Sequence, residues 1–278
     1  MATVTGVLVD DGKDVGLEKI LNNVNTNRTT IKMGLFVNAA GLVSTSVLAT
    51  IEPLTESNGY APVTLTDGSW SLASNGSGLG YTASFAQQVF TASGGSFQEG
   101  GGDASVTGWY LYTTGTAAKL IAFCYSGGSQ VVVVGASIKV TPSVKLEDGT
   151  NGVVSDEGTQ MMLDSFLNDV SDYNSTNVYI GLDTNSTALT TTSVYAGIAA
   201  PTSAGGYAIK NPAFTVSGGS ATTVLNEFDA SGAAFSSPIY AYTITSTGGS
   251  GSKLLAYDAG VGNITVADGD SYDVTIAI

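Results

Sequence analysis

The chain has 278 residues with 9 Lys or Arg against 23 Asp or Glu, a formal net charge of −14, and it holds no His and one Cys, Cys124. That composition excludes a Ser-His-Asp triad, a histidine metal site, an internal disulfide and a Cys-x-x-Cys redox pair. Few cations among many acids also argue against a nucleic-acid partner, whose phosphates are neutralised by clustered Lys and Arg.

Taken in chain order, Met1-Ala2-Thr3-Val4 offers neither a basic n-region nor an apolar h-region, so assembly in a cytoplasm is expected. Asp14 precedes Leu17, Ile20, Leu21 and Val24, an apolar stripe of helical spacing with Glu18 in its first turn. After that helix the sequence reads as strand. Residues 31–37 are rich in β-formers, and Trp109-Tyr110-Leu111-Tyr112 is dense in aromatics. Residues 119–125 are expected to pair with that run through a turn at 114–117. Ser137-Ile138-Lys139-Val140 alternates with period 2. The longest apolar run, Val131-Val132-Val133-Val134, is strand-sized and far below the ~18 residues of a membrane span, so no membrane partner is expected.

The second half of the chain repeats the first. Residues 31–61 match 178–208 at an offset of 147, with 13 identities in 31 positions. Residues 119–141 match 253–275 at an offset of 134, with 9 identities in 23. Between these blocks Tyr110 and Tyr112 are aligned with Tyr240 and Tyr242. Leu163, Phe166, Leu167 and Val170, following Asp156-Glu157, repeat the opening helix. The expected fold is therefore mainly β: two similar antiparallel β-sandwich or barrel modules, each with one N-terminal amphipathic helix. The first spans 1–144 and carries an extra loop at about 71–103; the second spans 145–278.

Constellations that could carry chemistry have simpler structural readings. Asp268-Gly269-Asp270-Ser271-Tyr272-Asp273 has oxygen ligands but lacks the Gly and Glu that complete an EF-hand loop, and reads as a turn running into a strand. Asp10-Asp11 and Asp156-Glu157 sit where acids complement a helix N-terminus. The glycine clusters lack the phosphate-cradle pattern. Cys124 has no base to activate it and reads as a buried thiol. No catalytic residue, cofactor or metal is assigned. The Tyr110/Tyr112 and Tyr240/Tyr242 pairs could line a carbohydrate groove, but a core role is simpler. Trp70 and Phe97, on a segment read as unique to the first copy, are the candidate partner contacts. Charge is divided unevenly. Residues 1–144 hold 6 cations and 9 acids, net −3; residues 145–278 hold 3 and 14, net −11. A near-neutral half is cheap to bury against a neighbour, and an acidic half suits solvent.

Gly34-Leu35-Phe36-Val37-Asn38, Ser46-Val47-Leu48-Ala49, Gly59-Tyr60-Ala61, the strand at 109–112 and Ile121-Ala122 together resemble a module of tailed-bacteriophage virion proteins. The second copy carries the same pattern through Leu254-Leu255-Ala256. The resemblance covers most of both copies and supplies no catalytic signature. It implies a non-enzymatic virion part, such as a capsid decoration (cement) protein contacting the major capsid protein or another virion protein. A homo-oligomer would then be expected, a trimer placing six modules about a three-fold position. The alternative from a different class is a head- or tail-fibre component that binds host-surface carbohydrate. A glycosidase built on paired carboxylates is disfavoured, because the acid pairs fall at helix starts and turns.

Overall fold

A computed structural model describes residues 6–8, 16, 30–38, 41–75, 81–114, 118–146, 153–154, 162, 178–190, 192–217, 220–246, 253–258 and 263–275. The helices expected at 14–24 and 163–170 lie, apart from Gly16, outside these residues.

The chain is mainly β, and among the described residues its strands pair antiparallel with one exception. The first half holds β1 (Gly6–Leu8), β2 (Ile31–Phe36), β3 (Val63–Leu65), β4 (Ser71–Ser74), β5 (Tyr81–Ser84) and β6 (Gln88–Thr91). It continues with β7 (Gln98–Glu99), β8 (Gly102–Asp103), β9 (Ser105–Thr113), β10 (Leu120–Val131), β11 (Ser137–Val140) and β12 (Ser143–Leu146). Eight of these form a sheet in the order β3-β2-β9-β10-β1-β12-β5-β4, while β6–β11 and β7–β8 are separate two-stranded ribbons. The exception is β1 against β12, which run parallel.

The second half holds β13 (Val153–Val154), β14 (Val178–Asp183), β15 (Phe214–Ser217), β16 (Ser220–Thr223), β17 (Asn226–Asp229), β18 (Ala241–Ser246), β19 (Lys253–Asp258) and β20 (Ser271–Val274). Its four-stranded sheet has the order β13-β19-β18-β14, with β15–β16 and β17–β20 as ribbons. The run β1-β10-β9-β2 in the first half has the same sequential order as β13-β19-β18-β14 in the second. Among the described residues every strand pairing stays within one half.

Alternation explains which side of each strand is inside. Ile31, Met33 and Leu35 of β2, with Trp109 and Leu111 of β9, enter the main core. Phe36 and Tyr110 face the other way, into a smaller cluster with Ile51, Leu120 and Phe123.

The outer edge of β2 is closed by the chain's own loops. Only Ile31, Lys32 and Met33 pair with β3. Beyond them the Tyr60 hydroxyl accepts the Leu35 N–H at 2.8 Å, Leu54 N–H donates to the Leu35 carbonyl at 3.3 Å, and Val37 N–H donates to Glu52 at 3.0 Å. On β14 Ile180 and Lys210 exchange bonds of 2.7 and 2.9 Å, and Thr184 N–H reaches Ala199 at 2.7 Å. Between them the Tyr207 hydroxyl accepts the Leu182 N–H at 2.9 Å. Each tyrosine ring also packs on two phenylalanines: Tyr60 on Phe90 and Phe97 at 5.7 and 5.5 Å, Tyr207 on Phe228 and Phe235 at 5.9 and 5.8 Å.

Three sequence expectations are corrected here. The stretch at about 71–103 is not a loop: it contains β4 to β8. Its hairpin β4–β5 has a counterpart in β15–β16, with a connection shorter by several residues. The first half also extends past 144, because β12 pairs Lys145 and Leu146 with Thr82 and Tyr81. Lastly, Tyr110 and Tyr112 are not matched by Tyr240 and Tyr242. Gly34 pairs with Tyr110 and Gly181 with Thr243, which puts Thr243 and Thr245 at the places of Tyr110 and Tyr112.

That difference sets the role of the facing glycine. A Cβ on Gly34 would sit 2.6 Å from the Tyr110 ring, whereas one on Gly181 meets nothing closer than 3.2 Å. Chemical denaturation should therefore show Gly34→Ala losing about 1–3 kcal/mol by overpacking, and Gly181→Ala, whose Cβ would press on the Tyr207 hydroxyl at 3.2 Å, losing less than Gly34→Ala. Equal losses would contradict the packing. Removing either peg, as Tyr60→Phe or Tyr207→Phe, should cost about 1–2 kcal/mol by stranding a buried N–H; a neutral Tyr60→Phe would place that N–H in water.

Candidate interaction surfaces

Both candidate contact residues are interior. Phe97 is fully buried and Trp70 is 5 % exposed. Phe97 stacks edge-on to Tyr60 at 5.5 Å, and its N–H donates to Val132 at 3.0 Å. Trp70 meets the Phe85 ring at 5.3 Å. In this structure neither presents a side chain to a partner. The physical reason is that the segment carrying them folds into strands packed on the main core, so its aromatics are what those strands bury.

The tyrosine pair of the first half is a stack, with Tyr110 and Tyr112 at 5.2 Å and 22°. Burial raises the pKa of both hydroxyls, making them harder to ionise. Tyr110 itself is buried, which leaves the pair's exposed part to Tyr112. Cys124 lies inside β10 and is buried; desolvation raises its thiol pKa to about 11. In the second half Asp258 occupies the corresponding position and accepts a hydrogen bond from the Tyr242 hydroxyl at 3.1 Å.

One buried carboxylate escaped the sequence reading. Asp183 is fully buried, and its Oδ1 accepts the N–H groups of Asn185 at 3.0 Å and Ala199 at 2.8 Å. In the first half Asn38 Oδ1 holds the equivalent N–H, that of Glu52, at 2.8 Å. Asp183 is thus a loop clamp. Its only sequence signal is the change from Phe36 to Asp183 at the repeat offset. Among the described residues no three potential metal ligands gather.

Two surface features remain. Beside the irregular stretch of β10, Thr107, Tyr125, Gly127, Gly128 and Ser129 line an open hollow of about 400 Å³. The ribbons β6–β11 and β17–β20 are built alike: Ala92 N–H donates to Ala136 at 3.0 Å as Ala230 N–H does to Asp270 at 2.9 Å, and both turns close through a glycine N–H at 2.8 Å. Those glycines, Gly135 and Gly269, have φ of 80° and 83°. The acidic run at Asp268 is therefore a ribbon turn leading into β20, as the sequence suggested.

Comparison with protein-family models, with curated proteins and with solved structures finds no match to this chain.

A thiol with its pKa near 11 has roughly 100-fold less thiolate at pH 8 than one near 9. Maleimide labelling of Cys124 should be slower by at least that factor in the native protein than in denaturant. Comparable rates would place the thiol at the surface.

Proposed function

We propose that this chain is a non-enzymatic structural protein of a bacteriophage particle, a capsid decoration protein that stabilises the head through surface contacts with the major capsid protein. In this reading it consists of two copies of one small β-sandwich or barrel module, each opened by a helix, and it works as a homo-oligomer. The observation that carries the proposal is the placement of the residues behind the virion resemblance. Leu35 and Leu182, Tyr60 and Tyr207, and Ser46 and Ser193 make the same bonds in both halves, and each bond is architectural. Ser46 Oγ accepts the Val43 N–H at 2.9 Å and Ser193 Oγ accepts the Thr190 N–H at 2.9 Å, each closing the turn before a 3-10 helix. That architectural use of the shared pattern supports reading it as a surface-bearing module. The charge division orients it: the near-neutral first half faces the particle and the acidic second half projects.

A fibre or appendage that binds carbohydrate is the second reading. It rests on the hollow beside Tyr125, where an aromatic ring and hydroxyls from Thr107 and Ser129 meet. Glycan-array binding lost in Tyr125→Ala would favour it.

The test of the first reading uses heads of the cognate phage assembled without this gene product. Adding the purified chain should give regular density at lattice points of the head by electron microscopy, and heads that withstand a higher temperature. Density confined to tail or fibre, or none, would refute it.

A further inference from the structure

The hollow beside Tyr125 is built on a braced bulge. Between the pairs Tyr125–Gly108 and Gln130–Val106, residues 126–129 of β10 stand opposite Thr107 alone. Their own bonds hold them: the Ser126 hydroxyl lies 2.9 Å from the Thr107 carbonyl and 2.6 Å from that of Gly128, and Gly127 takes a φ of 78°. The Tyr125 ring is set by Phe36 and Phe123, with centroids at 5.2 and 5.9 Å and planes at 86° and 80°. A wall fixed in this way spares a ligand the cost of ordering it.

What the wall can exchange follows from which protons are already spent. The single proton of Thr107 Oγ1 is shared between the carbonyls of Asn38 at 2.7 Å and Phe36 at 3.2 Å, so any further bond there is one it accepts. The Tyr125 hydroxyl accepts the Leu42 N–H at 3.3 Å, and its own proton is left to give. Ser129 is exposed and can do both. A ligand that suits this set gives one hydrogen bond and takes another, as hydroxyl groups do. A carboxylate gives none, and among the described residues no cation lines the hollow to offset its charge in a chain of net −14. An ammonium takes none, and no carboxylate lines the hollow among those residues.

We propose that this hollow binds a neutral saccharide, one unit per chain, through the Tyr125 ring and the hydroxyls of Tyr125, Thr107 and Ser129. The assignment rests on the carbohydrate reading of the hollow and not on where in a particle the chain sits. A volume of about 400 Å³ is near the lower end of the ~300–1,000 Å³ of small-molecule sites, which suits a mono- or disaccharide. The second half carries no copy of these groups: at the offset of 134, Ala259 and Asn263 stand where Tyr125 and Ser129 do.

Calorimetry and saturation-transfer NMR on the full chain would compare glucose, galactose, mannose and N-acetylglucosamine with glucuronic acid, N-acetylneuraminic acid and glucosamine. At least one neutral sugar should bind at one site per chain, with the charged sugars weaker by about tenfold or more. Ser129→Ala, an exposed change that leaves the bulge bonds alone, and Tyr125→Phe, which keeps the ring, should each weaken it about fivefold. Ser129→Lys should turn the preference toward glucuronic acid by about tenfold. A parent protein that prefers the charged sugars, or neutral binding indifferent to all three substitutions, would overturn the assignment while leaving a carbohydrate-binding chain. Silence with every sugar and on a glycan array would remove the carbohydrate reading itself.

Discussion

A tyrosine hydroxyl placed against the edge of a β-strand organises each half of this molecule. β2 loses its neighbour after Met33, and its remaining edge groups would be exposed or buried without partners. Tyr60 reaches in from the following loop and accepts the Leu35 N–H, while its ring packs on Phe90 and Phe97. One side chain thereby ties the sheet edge to the β6–β11 ribbon. Burial makes the hydroxyl much harder to ionise, so it stays a neutral hydrogen-bonding group in a site that would not tolerate a charge. Tyr207 does the same for β14, packing on Phe228 and Phe235.

Around that peg the two halves differ in ways that follow physical logic. Where Asn38 holds a loop amide through its side chain in the first half, Asp183 holds the matching amide from two residues earlier in the second. Where the Tyr110 ring lies on Gly34, the smaller Thr243 stands opposite Gly181. Where one ribbon carries Val89 and Val134, the other carries Glu227 and Asp268. The tyrosine peg is kept, while buried side chains near it and exposed ones on the ribbons both differ.

Much of this was legible in the sequence. The repeat offset located the tyrosine motif, and aromatic, β-branched runs located β9 and β10. The stretch holding β4 to β8 was not, because its strands are two to four residues long and rich in Ser, Gly and Thr, so no alternation stands out from turn composition. Trp70 and Phe97 look like contacts in the sequence for the same reason: aromatics between weak strand signals look exposed, whereas the fold buries both. The tyrosine alignment failed for a different cause. Tyr-x-Tyr recurs near both positions, and identity alone favours the nearest match, whereas the ladder register places Thr243 opposite Gly181. The run of four valines at 131–134 reads as one strand; the structure divides it, with Val132 buried and Val131, Val133 and Val134 exposed.

Hydrogen exchange at two amides tests the central claim most directly. If one tyrosine peg organises both halves, the Leu35 and Leu182 N–H groups should both be strongly protected, and Tyr60→Phe should speed exchange at Leu35 while leaving Leu182 unchanged. Rapid exchange at either amide in the parent protein, or an unaltered Leu35 rate in the variant, would contradict it.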